Sequence, residues 1–228
     1  ARLGRTFDSS QASEIFVGDE KSPWGESISI KYPFFDSSDL LERSSLVLND
    51  WGDVELKDRV GLALEWIHRL NKSSFEMSHA VMHTTGQSWV MAFQAGGPHA
   101  QDRALEAVAW SHKSIQLMPS SAIWSKQVGR EEVVSLKKTW RTVPVGISVA
   151  IGCSTFPTWN TYPGMFASFV CGNPIIVKPH PQAILPLALT VEIGRQLLKE
   201  RGYSEDIVQL APDEEKSLIA SDLISDSR

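Results

Sequence analysis

The chain has 228 residues, a formal charge of −5 at pH 7 and 42% hydrophobic side chains, which fits one or two globular domains and excludes collagen-like, low-complexity and disulfide-scaffold classes. The mild acidity gives no electrostatic footprint for nucleic acid, and no apolar run reaches the length of a membrane span. Only two cysteines, Cys153 and Cys171, and no signal-peptide apolar stretch after Ala1-Arg2-Leu3 fit a reducing cytoplasm, with a single disulfide left open.

Residues 1–50 are weakly patterned. Pro23, Gly25 and Pro33 punctuate short apolar pieces such as Ile28, Ile30, Phe34 and Phe35, which reads as loops and short helices wrapped on a larger body. From Val54 a helical period sets in, with Val60, Leu64, Ile67 and Leu70 on one face. Asn71-Lys72-Ser73 breaks the run. Ser73 and Glu76 have capping-box spacing, so the Ser73 hydroxyl is expected to accept from the Glu76 backbone N–H. A second helix is expected over 75–93. Gly96-Gly97-Pro98 then makes a helix–helix turn. A third helix over 100–117 carries Ala104, Leu105, Val108 and Ile115, and Pro119 follows its end. Residues 122–143 set Val128, Val133, Val134, Leu136 and Trp140 among charges, with a turn at Gly129-Arg130. This suits an extended hairpin that reaches across another surface.

Residues 145–151 are a short apolar run with β-branched bias, hence a buried strand. Gly152-Cys153-Ser154-Thr155-Phe156-Pro157 is a loop. A helix over 158–170 takes Pro163 in its first turn or at a kink. Gly172-Asn173 turns the chain into a second strand over 174–178, broken by Pro179-His180-Pro181. An amphipathic helix over 184–201 ends at Gly202, and a third strand begins at 207–210. The tail, 213–228, is polar apart from Leu218 and Ile219 and reads as a helix cut off from its continuation. The expected fold is α/β: N-terminal helices followed by a parallel Rossmann-like βαβαβ unit, incomplete as it stands. The expected division is 1–121 for the N-terminal helical part, 122–143 for the arm and 144–228 for the nucleotide-binding part. Ligands of such sheets lie beyond the carboxyl ends of the strands, here at 152–155 and 178–181.

Pro144-Val145-Gly146-Ile147, then Phe156-Pro157, then Gly172-Asn173-Pro174-Ile175-Ile176-Val177-Lys178-Pro179 resembles the aldehyde dehydrogenase superfamily, with the internal spacings intact. Thr85-Gly86-Gln87, the run from Met91 to Arg103, Gly152-Cys153-Ser154-Thr155-Phe156-Pro157-Thr158-Trp159-Asn160 and Val177-Lys178-Pro179-His180-Pro181 are similar to its PaaN-type phenylacetic acid degradation branch. The resemblance implies a dinucleotide-binding domain, a catalytic domain and a bridging arm that makes oligomers, with 122–143 in the arm's place. It implies that the nucleophilic cysteine, the general-base glutamate and the glycine-containing pyrophosphate turn lie downstream, so this chain is expected to be the N-terminal portion of a longer subunit.

The resemblance places Ile151, Gly152, Cys153, Ser154, Lys178, His180 and Pro181 around NADP or NAD. Lys178 reads as the adenosine-ribose lysine; without the resemblance it reads as a solvated lysine at a strand end. Pro181 stands where many NAD-preferring relatives carry a ribose-binding glutamate, which implies tolerance of NADP, with His180 as an extra donor. Thr155 takes the position of the family's oxyanion asparagine; its other reading is a loop or N-cap hydroxyl. Cys153 and Cys171 invite a nucleophile reading, against which stands that of small buried hydrophobes. His79 and His83 have ligand spacing on a helix, but no third ligand completes a metal set, so helix packing is expected. The tryptophans read as core or interface residues.

The implied activity is oxidation of an aldehyde, by the branch resemblance a CoA-linked semialdehyde, to the acid with NAD(P)+. A downstream cysteine attacks the carbonyl, hydride passes to the nicotinamide and water releases the acid. The chain alone is expected to be inactive. The alternatives are a truncated homologue acting as a nucleotide-binding or oligomerisation module, and a CoA-ester binding protein. The expected partners are the small-molecule aldehyde and a second copy of the chain, with no nucleic acid and no membrane.

Overall fold

The computed structural model describes residues 3–228. Two short strands, β1 (Phe16–Val17) and β2 (Tyr32–Pro33), pair antiparallel. Helix α1 (Ser37–Asp53) follows, 17 residues long where the sequence suggests only short pieces. Its buried positions are Leu40, Leu41, Ser44, Trp51 and Gly52. Serine and glycine interrupt the hydrophobic stripe, so periodicity alone does not show it. Helix α2 (Leu56–Lys72) buries Arg59, Leu62, Ala63, Trp66, Ile67 and Leu70. Leu64, expected inward, is exposed, because the stripe centres on Trp66.

The single helix expected over 75–93 is two, α3 (Ser74–Thr85) and α4 (Trp89–Gly96). Gly86 between them has φ 75°, a left-handed conformation that ends α3. The capping box does not form on the Ser73 side, whose side chain makes no cap bond. Instead the Ser74 hydroxyl donates to Asn71 O at 2.8 Å. Helix α5 (Pro98–Gln116) begins with proline in its first turn. Ala104 and Val108 are buried, while Leu105 faces solvent.

Strands β3 (Ser121–Gln127) and β4 (Val133–Thr139) form an antiparallel hairpin in which every residue is exposed. Then come β5 (Ser148–Ile151), α6 (Pro157–Val170), β6 (Ile175–Lys178), α7 (Leu185–Glu200), β7 (Val208–Leu210) and a short α8 (Ala220–Ser225). Strands β5, β6 and β7 make a parallel sheet with β6 central. This is the expected α/β architecture.

Side chains of the central strand alternate between two apolar clusters. Ile175 and Val177 pack with α2, α6 and α7, and Ile176 packs with Leu40 and Leu41 of α1 and Leu223 of α8. Both faces are covered, which accounts for the unbroken apolar run. The outer edge of β7 is closed by a side chain. Gln11, 1% exposed, donates to Leu210 O at 3.0 Å and accepts from Leu210 N at 2.8 Å, standing in for a neighbouring strand.

The N-terminal helices lock to the sheet through Arg59. Its guanidinium donates to Gly52 O at 3.0 Å, Val54 O at 2.8 Å and Val170 O at 2.9 Å. These are carbonyls at the ends of α1 and α6 that no helix N–H can reach. Gly172 (φ 87°) packs on the same group: a Cβ there would lie 3.0 Å from Arg59 Nη1. The next residue, Asn173, accepts at Oδ1 from Val145 N (2.9 Å) and Gly146 N (3.3 Å), tying the lead-in to β5 to the lead-in to β6. Arg59→Met is expected to leave buried carbonyls unpaired and to cost about 3–5 kcal/mol in urea unfolding. A loss below about 1 kcal/mol would show that the guanidinium does not hold these termini.

Candidate functional site

Strands β5 and β6 end in register, with Ile151 opposite Lys178. Gly152 N donates to Lys178 O at 2.8 Å, so the loops at 152–155 and 178–181 start side by side. Gly152 has no room for a side chain: a Cβ would press on Leu187 and lie 3.2 Å from Thr161 Oγ1. The buried strand expected over 145–151 is corrected: β5 covers only Ser148–Ile151, Ala150 alone is buried, and Ile151 is 52% exposed, so it presents an apolar surface at the strand end.

The first loop wraps a thiol. Cys153 Sγ accepts from Asn160 Nδ2 at 3.1 Å and from Phe156 N at 3.4 Å. Burial pushes the Cys153 thiol up, but these donors outweigh it and the net shift is downward. The reading of both cysteines as small buried hydrophobes is corrected: Cys153 and Cys171 are free and half-buried. Ser154 is half-buried and Thr155 exposed. The Thr155 carbonyl accepts from Gln87 Nε2, which anchors this loop to the start of α4. Gln87 Oε1 is itself buried without a partner.

The second loop is built on a buried ion pair. Lys178 Nζ donates to Asp213 Oδ1 at 2.6 Å and to Pro179 O at 2.7 Å, and both charged side chains are almost wholly buried. The reading of Lys178 as a solvated strand-end lysine is therefore corrected. An ammonium has three donors, so one N–H remains after these two bonds. Asp213 Oδ2 accepts from Ile219 N at 3.1 Å. His180 Nδ1 accepts from Gln182 N at 3.1 Å, which puts the proton of the neutral ring on Nε2. Pro181 is buried. Gln182 Nε2 donates to Glu215 Oε1 at 3.0 Å on the surface, linking this loop to the turn after β7.

Glu20 sets the position of the helix that follows. Its Oε1 accepts from Ile184 N at 2.6 Å and Leu185 N at 3.0 Å, and Tyr32 OH donates to Oε2. A carboxylate from the N-terminal segment thus caps α7. Burial pushes the Glu20 carboxyl above its ordinary range, opposed by the Tyr32, Leu185 and Ile184 donors.

Away from the strand ends, His79 and His83 sit on α3, and His83 Nδ1 lies 3.9 Å from Glu26. Among the described residues no three His, Cys, Asp or Glu side chains converge. Nor is any helix long and apolar enough to cross a membrane. A cleft of about 830 Å³ lies at the base of the hairpin, lined by Asp53, Arg59, Trp140 and Arg141. It holds none of the strand-end residues, and the parallel sheet favours the strand ends as the ligand site. Sequence reasoning missed Glu20 and Asp213. Asp213 had a signal: it stands just past the carboxyl end of the third strand, where the same logic nominated the other two loops.

Comparison with known proteins agrees with this geometry. Residues 36–227 match the model of the Aldehyde dehydrogenase family. The chain belongs to that family. A crystal structure of an NAD-dependent aldehyde dehydrogenase from Burkholderia multivorans is 44% identical, with a TM-score of 0.93 over 97% of this chain and 40% of its own. Glyceraldehyde-3-phosphate dehydrogenase from Methanocaldococcus jannaschii, complexed with NADP, is 13% identical with a TM-score of 0.70, over 95% of this chain and 44% of its own. A 1-pyrroline-5-carboxylate dehydrogenase from Thermus with bound NAD is 16% identical with a TM-score of 0.69, over 97% and 42%. The last two share the fold. The chain spans about two fifths of the length of these structures. A search of curated proteins gives no match.

The Glu20 carboxyl yields a pH prediction. A carboxyl raised in the folded state stabilises that state fully below its unfolded value, near 4.5, and loses the contribution as pH rises through the folded value. Glu20→Gln removes this group's titration. The stability of the wild type relative to the variant is expected to fall between pH 4.5 and neutrality in urea unfolding. A constant difference would show that Glu20 titrates alike in both states.

Proposed function

We propose that this chain is the cofactor-binding portion of an NAD(P)-dependent aldehyde dehydrogenase. Its substrate is an aldehyde, in this reading a CoA-linked semialdehyde formed after ring opening in phenylacetate breakdown. The observation that carries the reading is the side-by-side start of the 152–155 and 178–181 loops at adjoining strand ends, in a chain 44% identical to an NAD-dependent aldehyde dehydrogenase.

The donor set fits a dinucleotide. Lys178 keeps one N–H for a ribose hydroxyl, and His180 Nε2–H is a second donor on the same loop. Ile151 offers an apolar surface for a flat ring, and bare Gly152 keeps the two loops in contact. The nicotinamide, when bound, accepts hydride from the substrate. Thr155 supplies one hydroxyl toward the developing oxyanion in this reading, and the Gln87 bond to its carbonyl fixes the loop's position.

The hairpin gives the oligomer reading its support. Trp124, Val134 and Leu136 lie on one face, with Lys138 Nζ 5.7 Å over the Trp124 ring. Two exposed strands with free edges and no core of their own are marginal alone. They gain stability by pairing with a second copy.

Calorimetric titration of the folded chain with NAD+ and NADP+ tests the first reading. Saturable binding is expected, weakened about tenfold or more by Ile151→Glu, which sets a negative charge beside the phosphates. Lys178→Ala is also expected to weaken binding, with melting used to separate loss of the contact from loss of the fold. No binding by a folded chain overturns the cofactor role. For the arm, sedimentation is expected to show a dimer or larger assembly that Trp124→Asp shifts toward monomer without lowering the melting temperature of the core. A wild-type monomer at high concentration would rule out the hairpin contact.

A further inference from the structure

We propose that the cleft at the base of the hairpin is a second ligand site, which takes a small carboxylic acid with an apolar body and holds its carboxylate on the free edge of the Arg59 guanidinium. The inference is independent of the nucleotide-binding reading, because none of the strand-end residues lines this cleft. Its volume of about 830 Å³ lies within the ~300–1,000 Å³ usual for small-molecule sites.

Two features make it an anion site. Arg59 is only 4% exposed, yet it lines the cleft. Its Nε and Nη1 are spent on the carbonyl oxygens of Val170, Gly52 and Val54. Nη2 donates to no acceptor among the described residues, so two N–H groups of a buried cation are left over. The cleft is where those groups can find one. Helix α2 also begins there, with Glu55 and Leu56 among the lining residues. The Glu55 side chain makes no cap bond, and among the described residues the Leu56 N–H has no acceptor. The positive end of a 17-residue helix thus stands beside the unmatched guanidinium edge.

The rim decides the charge and shape of the ligand. Arg141 Nη2 pairs with Asp53 at 2.6 Å, so those two charges cancel, while Glu55 adds a negative one. One carboxylate charge suits what Arg59 and the helix end leave over. A doubly charged phosphate is repelled by Asp53 and Glu55. A carboxylate on Arg59 gains charge-assisted hydrogen bonds. Ile115, Met118 and Trp140 supply the apolar walls, and Met118 and Trp140 are 61% and 44% exposed. A ring or branched alkyl group attached to the carboxylate covers that surface.

The test titrates benzoate, its neutral amide benzamide and inorganic phosphate into the chain, following the indole N–H resonance of Trp140, which Trp140→Phe assigns. Saturable benzoate binding with Kd at or below about 1 mM is expected, with a shift of the Trp140 signal. Benzamide and phosphate are expected to bind at least about tenfold more weakly. Met118→Glu changes an exposed side chain and sets a negative charge in the cleft. It is expected to weaken benzoate about tenfold or more without lowering the melting temperature. Arg59→Met, where melting shows it folded, is expected to bind benzoate no better than benzamide. Absence of benzoate binding by the folded wild type overturns the inference. So does benzamide or phosphate binding as tightly as benzoate, a Trp140 signal that stays still at saturation, or an unchanged affinity in Met118→Glu.

Discussion

A buried guanidinium holds the fold in register. Among the described residues no carboxylate forms an ion pair with Arg59. Its charge is met by carbonyl oxygens at the carboxyl ends of α1 and α6, the negative ends of two helix dipoles. Burial pushes the Arg59 guanidinium down, yet arginine stays charged in any folded protein. The arrangement satisfies two helix ends with one side chain and fixes where α6 stops. Where α6 stops determines where Gly172 turns, and Asn173 then ties the approaches of β5 and β6 together. The parallel register, and with it the meeting of the two loops at the strand ends, follows from that point.

This chain of dependence gives the Gly172-Asn173 pair a structural explanation. Gly172 is needed for its positive φ and because a Cβ would crowd Arg59. Asn173 is needed because one side-chain oxygen can accept two backbone N–H groups from the other strand's lead-in. Neither residue touches the crevice. They place Lys178 by setting the start of a four-residue strand whose far end carries it.

The same economy recurs elsewhere: single side chains do the work of missing backbone partners. Gln11 completes the edge of β7, Glu20 caps α7, and Gln209 donates to Leu40 O and Ser44 Oγ to bind the sheet to α1. All three act across long sequence separations. The N-terminal segment is thereby a structural part of the unit built on the parallel sheet, and its buried Gln11 and Glu20 are committed to capping. The exposed hairpin is the contrast: its apolar residues meet only their neighbours across the two strands and pack against no core, which is why an intermolecular role fits them.

Local chemistry in the sequence was enough for the elements that depend on it. The apolar β-branched runs, the glycine and proline punctuation and the helical period of residues 184–201 marked the βαβαβ unit and its two loops, because strand burial and turn geometry act over a few residues. Helix α1 escaped notice because its stripe runs through Ser44 and Gly52, polar or small positions whose burial depends on partners far along the chain. The break at Gly86 escaped because the expected helix was carried through the polar stretch Thr84-Thr85-Gly86-Gln87-Ser88 to the apolar residues that follow, where the backbone instead takes a positive φ at the glycine. Lys178 was legible as a strand-end cation from its neighbours, but its pairing with Asp213 was not. That pair spans 35 positions and exists only once β6 and β7 lie side by side, so tertiary structure alone decided that the lysine is buried against a carboxylate, where the sequence by itself suggested a solvated lysine.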